Sequence, residues 1–474
     1  EEVAQAPEGL KTLDMIGMPG MKFTMTVSAY DCTGCGSCVN VCPGKKNKET
    51  GEVEKALTMA NMEANAGEQT FFDFGREIPV KPEVVAKFKE TTVKGSQFKQ
   101  PLLEFSGACA GCGETPYAKL ITQLFGDRMY IANATGCSSI WGNSSPSTPY
   151  TVTPEGKGPA WSNSLFEDNA EFGYGMLLAQ NTIRDRLKAK VEKIAEKTTD
   201  EAVKAAAAEY LETYTVGATN GTATDKLVAA LEALDCDCEE RAEVLKNKDF
   251  LAKKSQWIFG GDGWAYDIGY GGVDHVLASK KDINIMVFDT EVYSNTGGQS
   301  SKATKTGATA QFAAGGKETK KKDLAGMAMT YGYVYVAQIA MGADFNQTVK
   351  AIAEAEAYPG PSLIIAYAPC INHGIKKGMS KAQTEEQLAV ECGYWNNFRY
   401  NPAAEGDKFS LDSKAPKAEG YQDFLNGEVR YNALKRANPA KADKLFALNE
   451  QEAMERYDYL NKLVTVYAAE KEDK

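Results

Sequence analysis

Short apolar segments alternate with helical stretches along the chain from about residue 106 onward. Segments of strand length separated by crossover helices are typical of βαβ units. They predict an α/β fold with a doubly wound, mostly parallel sheet. Ligands of such sheets bind beyond the carboxyl ends of the strands, so the residues after each strand are the first candidates for function. The predicted strands are residues 128–133, 256–259, 283–289, 333–339 and 362–368, with a crossover helix over 264–279.

Residues 181–255 differ because their apolar positions recur at helical spacing among charged residues. These positions are Ile183, Leu187, Val191 and Ile194. The spacing predicts an amphipathic helix, and a second helix is expected over 225–234 after a loop at 217–221. We therefore expect a helical insertion between strands. Cys236 and Cys238 lie within it and could form a disulfide or a metal pair, although two isolated cysteines beside acidic residues are more often inert.

Polar residues follow the second and third predicted strands. A Gly-Asp-Gly sequence containing Asp262 ends the second, and Thr290 ends the third, so both are expected at one carboxyl rim. A carboxylate, a hydroxyl and a backbone carbonyl are hard oxygen ligands that suit Mg²⁺, which takes phosphate oxygens at its other positions. The glycines let the backbone approach a diphosphate. The helix expected to begin near Trp264 directs its amide end to the anion.

Four further cysteines are predicted at the same rim. Cys109 and Cys112 form a CxxC pair on a loop that enters a helix ending at Leu124. Cys137 and Cys370 follow the first and fifth predicted strands. A CxxC pair by itself could be a redox dithiol or half of a zinc site. Four cysteines beside a diphosphate site indicate instead a [4Fe–4S] cluster close to the cofactor.

The first 60 residues contain a second cysteine motif, C-x2-C-x2-C-x3-C-P, which is the spacing of bacterial [4Fe–4S] ferredoxins. Its members are Cys32, Cys35, Cys38 and Cys42. A structural zinc site is the alternative, but such sites normally pair two distant CxxC hooks. In two-cluster ferredoxins the fourth cysteine of each run ligates the other cluster. Only one such run is present here, so Cys42 lacks an obvious set of partner ligands. Either the domain is a one-cluster variant, or the first run lies upstream of Glu1.

Composition excludes several classes of protein. The 53 Lys+Arg against 64 Asp+Glu give a net charge of −11, which disfavours binding to nucleic acid. No apolar run approaches the roughly 18 residues that cross a bilayer, and the N-terminus lacks signal-peptide features, so we expect a cytoplasmic protein. Eleven cysteines, an odd number grouped at short spacings, argue against a secreted disulfide framework.

Together these motifs resemble the pyruvate:ferredoxin (flavodoxin) oxidoreductases, also called pyruvate synthases. The resemblance covers nearly the whole chain and rests above all on GDGWAYDIGYGG at 261–272 and YSNTGGQ at 293–299. It implies oxidative decarboxylation of pyruvate with coenzyme A to acetyl-CoA and CO₂, with electrons passed through [4Fe–4S] clusters to ferredoxin or flavodoxin. The implied cofactors are thiamine diphosphate, Mg²⁺ and [4Fe–4S] clusters. Thr290 stands where thiamine diphosphate enzymes usually have an asparagine, and this family shares that departure.

The resemblance also implies roles for individual residues. Cys109, Cys112, Cys137 and Cys370 would hold a cluster proximal to thiamine diphosphate. Asp262, Thr290 and the carbonyl of Val292 would hold Mg²⁺. The residues implied to line the cofactor are Glu114, Cys137, Gly261, Asp262, Gly263, Trp264, Thr290, Glu291, Val292, Tyr293, Ser294 and Asn295. Asn295 is implied to reach the substrate and is the catalytic candidate.

The family's long N-terminal portion, which supplies the glutamate that activates the cofactor and the coenzyme A domain, has no counterpart here. We therefore expect a C-terminal portion that is incomplete for catalysis, partnered by the missing N-terminal portion and forming a homodimer. The expected division is a ferredoxin-like α+β iron–sulfur domain at 1–60, a connector at 61–105, and a thiamine diphosphate-binding domain at 106–474 that carries the insertion at about 181–255.

Two alternative functions stay open. The substrate could be another 2-oxo acid, such as 2-oxoglutarate, an indolepyruvate or a branched-chain acid. The chain could also be a non-catalytic electron-transfer subunit, for which the Cys32–Cys42 run would suffice. An electron carrier needs no diphosphate and Mg²⁺ site, so the motifs at Asp262 and Thr290 disfavour that second alternative.

Several conspicuous residues have no assigned role. The basic run at 317–322 is expected to be a solvated loop, with docking of an acidic ferredoxin or a coenzyme A phosphate as the alternative. His275 is expected to be a packed or capping residue, and Cys392 a structural thiol. His373, three residues after Cys370, is expected near the cluster without a stated function.

Overall fold

A central eight-stranded sheet organises the larger part of the chain. The computed structural model describes residues 1–144 and 147–469, and its strand order is β14-β13-β11-β12-β8-β7-β5-β6. The six strands from β11 to β6 are parallel to their neighbours, and β13 and β14 extend the sheet as an antiparallel edge. The strands are β5 Met129–Ala134, β6 Ala160–Ser164, β7 Ser255–Gly261, β8 Ile283–Asp289, β11 Tyr335–Ile339, β12 Pro361–Tyr367, β13 Phe398–Tyr400 and β14 Phe409–Leu411.

Helices cover both faces of this sheet, which confirms the predicted doubly wound α/β fold. Alternate residues of one strand face opposite layers: Ile258 packs into one core cluster, while Trp257 and Phe259 pack into the other. The flanking helices are α5 Thr115–Phe125, α6 Cys137–Ser139, α7 Asn169–Lys197, α11 Tyr270–Ala278, α12 Leu324–Met329, α13 Phe345–Ala357, α14 Ala382–Cys392, α15 Tyr421–Asn426, α16 Val429–Ala437 and α17 Pro439–Val466.

All five predicted strands are present, with ends that differ by no more than two residues. The strand β6 was not predicted because Ala160–Ser164 carries one large apolar residue, Trp161, among small polar ones. The edge strands β13 and β14 were also missed, since three residues are too few to show a period. The predicted crossover helix is divided: Gly263–Ile268 forms a π-helical turn, and α11 begins at Tyr270.

The helical insertion is confirmed but its details differ from the prediction. It contains α8 Glu201–Glu212, α9 Gly217–Ala233 and α10 Glu239–Lys246, packed against the second half of α7. The expected loop at 217–221 is wrong, because these residues form the first turn of α9. The Asn220 side chain there is buried and accepts a hydrogen bond from Arg184 Nη2 at 3.3 Å. Cys236 and Cys238 are paired in a disulfide.

The first hundred residues form small elements at one side of the sheet domain. Ser28 is the one buried residue of 1–60, a stretch that the structure describes completely, so this part has no apolar core. Its helix α1 packs against α14 and the turn Met379–Lys381 before it, where Asn40 Nδ2 donates to the Ser380 carbonyl at 2.6 Å. The elements are β1 Leu13–Asp14, β2 Lys22–Phe23, α1 Ser37–Val41, β3 Lys45–Lys46, β4 Val53–Glu54, α2 Glu68–Glu77, α3 Pro82–Lys87 and α4 Val93–Ser96.

Among the residues that the structure describes, none of the helices combines the length and the apolar character that crossing a bilayer requires.

A buried tyrosine ties α5 to the ends of two strands. Tyr117 Oη lies 2.9 Å from the Tyr367 carbonyl oxygen and 3.1 Å from Glu386 Oε2 of α14. It also accepts a hydrogen bond from the Met341 amide at 2.9 Å. Because the Tyr117 hydroxyl is completely buried, water could not take over its hydrogen bonds if the hydroxyl were removed.

We expect Tyr117→Phe to lower the free energy of unfolding by about 1–3 kcal/mol, because it leaves three buried polar groups without this partner. Urea unfolding followed by circular dichroism measures the change. Tyr459→Phe is the matched control, since Tyr459 is 48% exposed and its loss should stay within about 0.5 kcal/mol. Equal stability of the two variants would contradict the role given to the Tyr117 hydroxyl.

Candidate functional site

Four adjacent parallel strands deliver the predicted site residues to one rim. In the order β12, β8, β7 and β5, these strands end just before Cys370, Thr290, Asp262 and Cys137. The two oxygen-bearing residues therefore lie at the centre of the rim and one cysteine lies on each side. Carboxyl ends of parallel strands are the usual location of ligands in such sheets.

Three oxygen atoms at the centre of the rim lie close together. Thr290 Oγ1 is 3.0 Å from Asp262 Oδ1 and 3.1 Å from the Val292 carbonyl oxygen. Mg²⁺ binds oxygen at about 2.0–2.1 Å in octahedral geometry, which puts neighbouring ligand oxygens about 3 Å apart. Both separations therefore fit neighbouring ligands of a magnesium site, whose remaining positions would be left to phosphate and water.

The electrostatics of Asp262 also favour a cation. Its side chain is completely buried and forms no ion pair with any residue in the described part of the chain. Burial and the charge of Asp289 raise the pKa of Asp262 to about 8. Ser301 Oγ donates to Asp262 Oδ2 at 2.6 Å, which orients the carboxyl group. A bound divalent cation would stabilise the ionised carboxylate that burial destabilises.

The turn that carries Thr290 and Val292 is held by Glu291 between them. Glu291 has a left-handed backbone with a φ of 59°, which is unusual for a residue with a side chain. Its buried carboxylate turns inward and lies 2.9 Å from Arg430 Nη1 and 3.2 Å from Lys321 Nζ. Although burial opposes ionisation, these cations lower the pKa of Glu291 well below its usual range. The backbone of Glu291 is therefore the part of this residue that can face a cofactor.

The turn after Asp262 brings its backbone close to the rim. Gly263–Ile268 forms a π-helical turn, a form that is frequent at functional sites. Trp264 is completely buried, and its ring lies against Gly260 and Gly269. Tyr293 packs over Gly263, where a Cβ atom would lie 2.7 Å from the tyrosine ring. Asn295 is exposed in the turn between β9 Val292–Tyr293 and β10 Gln299–Ser300.

The four cysteines predicted at the rim interact with one another electrostatically. Burial raises the pKa of Cys137 to about 12 and that of Cys370 to about 11, with further contributions from neighbouring thiols. Burial also raises the pKa of Cys112 well above its usual range, and Cys370 adds to that shift. Burial disfavours the thiolate forms of these cysteines, so a bound metal cation would be needed to stabilise them as thiolates.

Glu114 and Ser294 place this cysteine group beside the oxygen ligands. Cys137 Sγ lies 3.1 Å from Ser294 Oγ, two residues beyond Val292. The Glu114 carboxylate is buried and accepts a hydrogen bond from Trp141 Nε1 at 2.8 Å. Burial raises the pKa of Glu114 to about 7.

Two glycines let the cysteine loops approach one another. The Gly113 amide donates to the Pro369 carbonyl at 3.0 Å, which joins the CxxC loop to the residue before Cys370. A Cβ atom on Gly113 would lie 2.5 Å from Pro369 N. Gly111 has a φ of 79°, and a Cβ atom there would lie 2.4 Å from the Met379 carbonyl oxygen. Only glycine fits either position.

The N-terminal cysteine run lies next to this group. Burial opposes ionisation of Cys35, but hydrogen bonds from Ser37 and from the Gly111 amide lower the pKa of its thiol. Backbone hydrogen bonds from Leu57 and Gly44 lower the pKa of Cys42. Cys32 and Cys38 are exposed. The Gly111 contact is notable because that residue lies between Cys109 and Cys112, the CxxC pair of the other set.

Metal-ion sites built only from side chains are absent from the described part of the chain. No group of three or more His, Cys, Asp or Glu side chains there could hold a single metal ion. The oxygen group at the rim is a different kind of site, because two of its three candidate ligands are a threonine hydroxyl and a backbone carbonyl.

The expectation that the basic run at 317–322 is a solvated loop is wrong for most of its lysines. Lys321 Nζ lies 2.7 Å from Asp289 Oδ2, and Lys317 Nζ donates to the Ser301 carbonyl at 2.9 Å. Lys322 Nζ donates to the Tyr266 carbonyl at 3.0 Å. Lys321 thus compensates a buried carboxylate, whereas Lys317 and Lys322 are held by backbone carbonyls.

The remaining expectations for single residues agree with the structure. His275 packs edge-on against Tyr174, with ring centroids 6.0 Å apart, and the Cys392 thiol is buried. Sequence reasoning missed Ser301, Arg430 and the contact made by His373, whose Nε2 lies 2.7 Å from the Thr290 carbonyl oxygen. Burial lowers the pKa of His373 to about 3, so its ring is neutral. No motif marks these residues because each is distant in sequence from the group it contacts.

Two family models match parts of the chain. Residues 244–366 match "Thiamine pyrophosphate enzyme, C-terminal TPP binding domain", and residues 25–45 match "4Fe-4S binding domain". The first range contains Asp262, Thr290 and Val292, and the second contains the N-terminal cysteine run. These matches confirm a thiamine diphosphate-binding domain and an N-terminal iron–sulfur motif.

Curated relatives match nearly the whole chain. It is 56% identical over 98% of its length to the pyruvate:ferredoxin oxidoreductase of Moorella thermoacetica and 53% identical over 98% to the pyruvate-flavodoxin oxidoreductase of Enterobacter agglomerans. It is 46% identical over 94% of its length to the mitochondrial pyruvate dehydrogenase [NADP(+)] of Euglena gracilis. The chain spans 39%, 39% and 24% of these three proteins, respectively. The resemblance predicted from the motifs is confirmed.

We expect Gly113→Ala to separate the CxxC loop from Cys370, because the added Cβ atom overlaps Pro369 N. The variant should lose about four iron atoms, the content of one [4Fe–4S] cluster. Iron analysis and EPR of anaerobically purified protein measure this. Gly175→Ala is the matched control, since nothing lies within 4 Å of its Cβ position. Full iron content in Gly113→Ala would contradict a cluster at Cys109, Cys112, Cys137 and Cys370.

Proposed function

We propose that this chain provides the diphosphate-binding half and part of the electron path of a 2-oxo acid:ferredoxin oxidoreductase that acts on pyruvate. The reaction is the oxidative decarboxylation of pyruvate with coenzyme A to acetyl-CoA and CO₂. Its electrons leave through [4Fe–4S] clusters to ferredoxin or flavodoxin. The chain's high identity to pyruvate:ferredoxin and pyruvate-flavodoxin oxidoreductases supports this substrate and these acceptors.

One observation supports the proposal most strongly: the oxygen ligands and the cysteine group lie side by side on one rim. The contact between Cys137 Sγ and Ser294 Oγ, at 3.1 Å, joins the strand end that carries a cysteine to the turn that carries Val292. A decarboxylase alone needs no cluster ligands here, and an electron carrier alone needs no Mg²⁺ site. A reaction that releases electrons at a thiamine diphosphate centre needs both.

The residues present fit thiamine diphosphate and Mg²⁺ in defined roles. Asp262, Thr290 and the Val292 carbonyl would hold the metal, whose other positions take diphosphate oxygens. When bound, thiamine diphosphate supplies the electron sink that allows the carboxylate of a 2-oxo acid to leave as CO₂. Glu114 and the backbone of the two rim turns would line the cofactor. Exposed Asn295 would face the substrate.

The two cysteine sets would hold the electron path. Cys109, Cys112, Cys137 and Cys370 would ligate the cluster nearest the cofactor. Cys32, Cys35, Cys38 and Cys42 would supply ligands to the next cluster. Both ligand loops lie against the same turn, since Gly111 approaches the Met379 carbonyl and Asn40 Nδ2 donates to the Ser380 carbonyl at 2.6 Å. Electrons released at the rim would therefore have a short route toward the N-terminal part of the chain.

We further propose the organisation of the working protein. The division into 1–60, 61–105 and 106–474, a partner portion that supplies the second half of the cofactor site, a homodimer and a cytoplasmic location belong to this proposal. The acidic net charge of −11 is consistent with a protein that does not bind nucleic acid.

The full-length polypeptide that carries this chain should reduce methyl viologen anaerobically only when pyruvate and coenzyme A are both present. Parallel assays with 2-oxoglutarate, indolepyruvate and a branched-chain 2-oxo acid compare the substrates by kcat/KM. If kcat/KM is clearly higher for one of these acids than for pyruvate, that acid is the substrate and pyruvate is not. No reduction with any acid, in protein with full iron content, would favour the electron-transfer subunit.

We expect Asp262→Asn and Thr290→Val each to weaken Mg²⁺-dependent binding of thiamine diphosphate by at least about 10-fold, because each removes a hard oxygen ligand. Isothermal titration calorimetry measures the affinity. Asp225→Asn is the matched control, because the Asp225 side chain is 67% exposed on the helical insertion. Unchanged affinity in both rim variants would place the metal elsewhere.

A further inference from the structure

His373 occupies a position between the two ligand groups. It follows Cys370 by three residues, and its own amide donates to the Cys370 carbonyl at 2.9 Å in a tight turn, Ile371–His373. Its imidazole leaves this turn and extends toward the strand end of β8. The side chain is completely buried and stacks on Tyr367, with ring centroids 6.1 Å apart and planes inclined by 19°.

The direction of the imidazole hydrogen bond is fixed by its partner. His373 Nε2 lies 2.7 Å from the Thr290 carbonyl oxygen. Because a carbonyl oxygen can only accept, Nε2 carries the proton and donates it. Nδ1 then carries no proton and can accept a hydrogen bond. The Cys370 amide nitrogen lies 3.5 Å from it. One neutral ring thus contacts both the cysteine loop and the oxygen-ligand turn.

The peptide between Thr290 and Glu291 is restrained at both ends. Its carbonyl accepts from His373, and its N–H, which belongs to Glu291, donates to Asp289 Oδ1 at 3.2 Å. This peptide directly follows the Thr290 side chain and precedes the Val292 carbonyl. Its orientation therefore decides whether the hydroxyl and that carbonyl point to the same place as Asp262 Oδ1.

A buried ionic network supports the same turn from below. Arg430 Nε donates to Glu428 Oε2 at 2.7 Å, and Arg430 Nη1 lies 2.9 Å from the Glu291 carboxylate. Glu428 Oε1 lies 3.6 Å from His373 Nδ1. The segment 428–430 therefore packs behind both the histidine and the turn, which leaves little freedom for either to move.

We propose that His373 is a positioning residue that orients the Thr290–Val292 turn for Mg²⁺ and links it to the loop of Cys370. The inference rests on the proposed magnesium site. It assigns His373 no contact with substrate or cofactor. Its effect passes through the Thr290 carbonyl, in the way that outer hydrogen-bond partners orient the ligands of a metal.

The test compares variants that lose or keep the donor, made in the full-length protein. His373→Phe and His373→Met remove the imidazole N–H donor and put an apolar side chain of similar volume in its place. His373→Gln keeps an amide N–H that can reach the Thr290 carbonyl. The matched control is His275→Phe, which changes the chain's other histidine on α11 without touching the rim.

The measurement is Mg²⁺ affinity at saturating thiamine diphosphate, by calorimetry. We expect about a 10-fold or greater loss in the Phe and Met variants, with the Gln variant and the His275 control close to the unmodified protein. Equal affinity in all of them would overturn the inference, and so would an equal loss in the Gln variant, which would mean that packing alone matters. Absence of Mg²⁺-dependent binding in the unmodified protein would overturn the proposed function itself.

Discussion

A carboxylate buried without an ionic partner is the constraint on which the rim of the sheet depends. Asp262 is completely buried, and its neighbours within hydrogen-bonding distance are the hydroxyls of Ser301 and Thr290 and the Thr290 amide. Hydrogen bonds orient such a carboxylate, but they do not fully compensate for the hydration that its charge loses on burial. A cation would compensate that charge, and Thr290 Oγ1 lies 3.0 Å from Asp262 Oδ1 and 3.1 Å from the Val292 carbonyl oxygen, the spacing of neighbouring Mg²⁺ ligands.

The layer beneath the rim supplies opposite charges for a different purpose. Lys321 pairs with Asp289 and Arg430 pairs with Glu291, so both of these carboxyl groups have a cationic partner within the protein. Acidic residues at the same end of the sheet thus have different surroundings. Asp262 has hydroxyl and amide partners, while Glu291 pairs with protein cations in a turn where its own backbone is left-handed.

The N-terminal part depends on a different source of stability. Its first 60 residues bury one side chain, that of Ser28, so apolar burial cannot hold them together. Cluster ligation by its cysteines would provide the missing constraint, as metal binding does in other small domains. Asn40 attaches this part to the sheet domain, because its side-chain amide donates to the Ser380 carbonyl just before α14.

The sequence determined the parallel sheet, its five central strands, the insertion and the grouping of Asp262, Thr290 and the cysteines on one rim. Strand periodicity and the rule that ligands bind at carboxyl ends suffice for that, because both act over short stretches of chain. Only the tertiary structure decided the rest. The Lys321 contact to Glu291, the Arg430 contact to Glu291 and the His373 hydrogen bond to Thr290 join residues that lie 30 to 139 positions apart. Local spacing carries no information about such pairs, since folding alone brings them into contact.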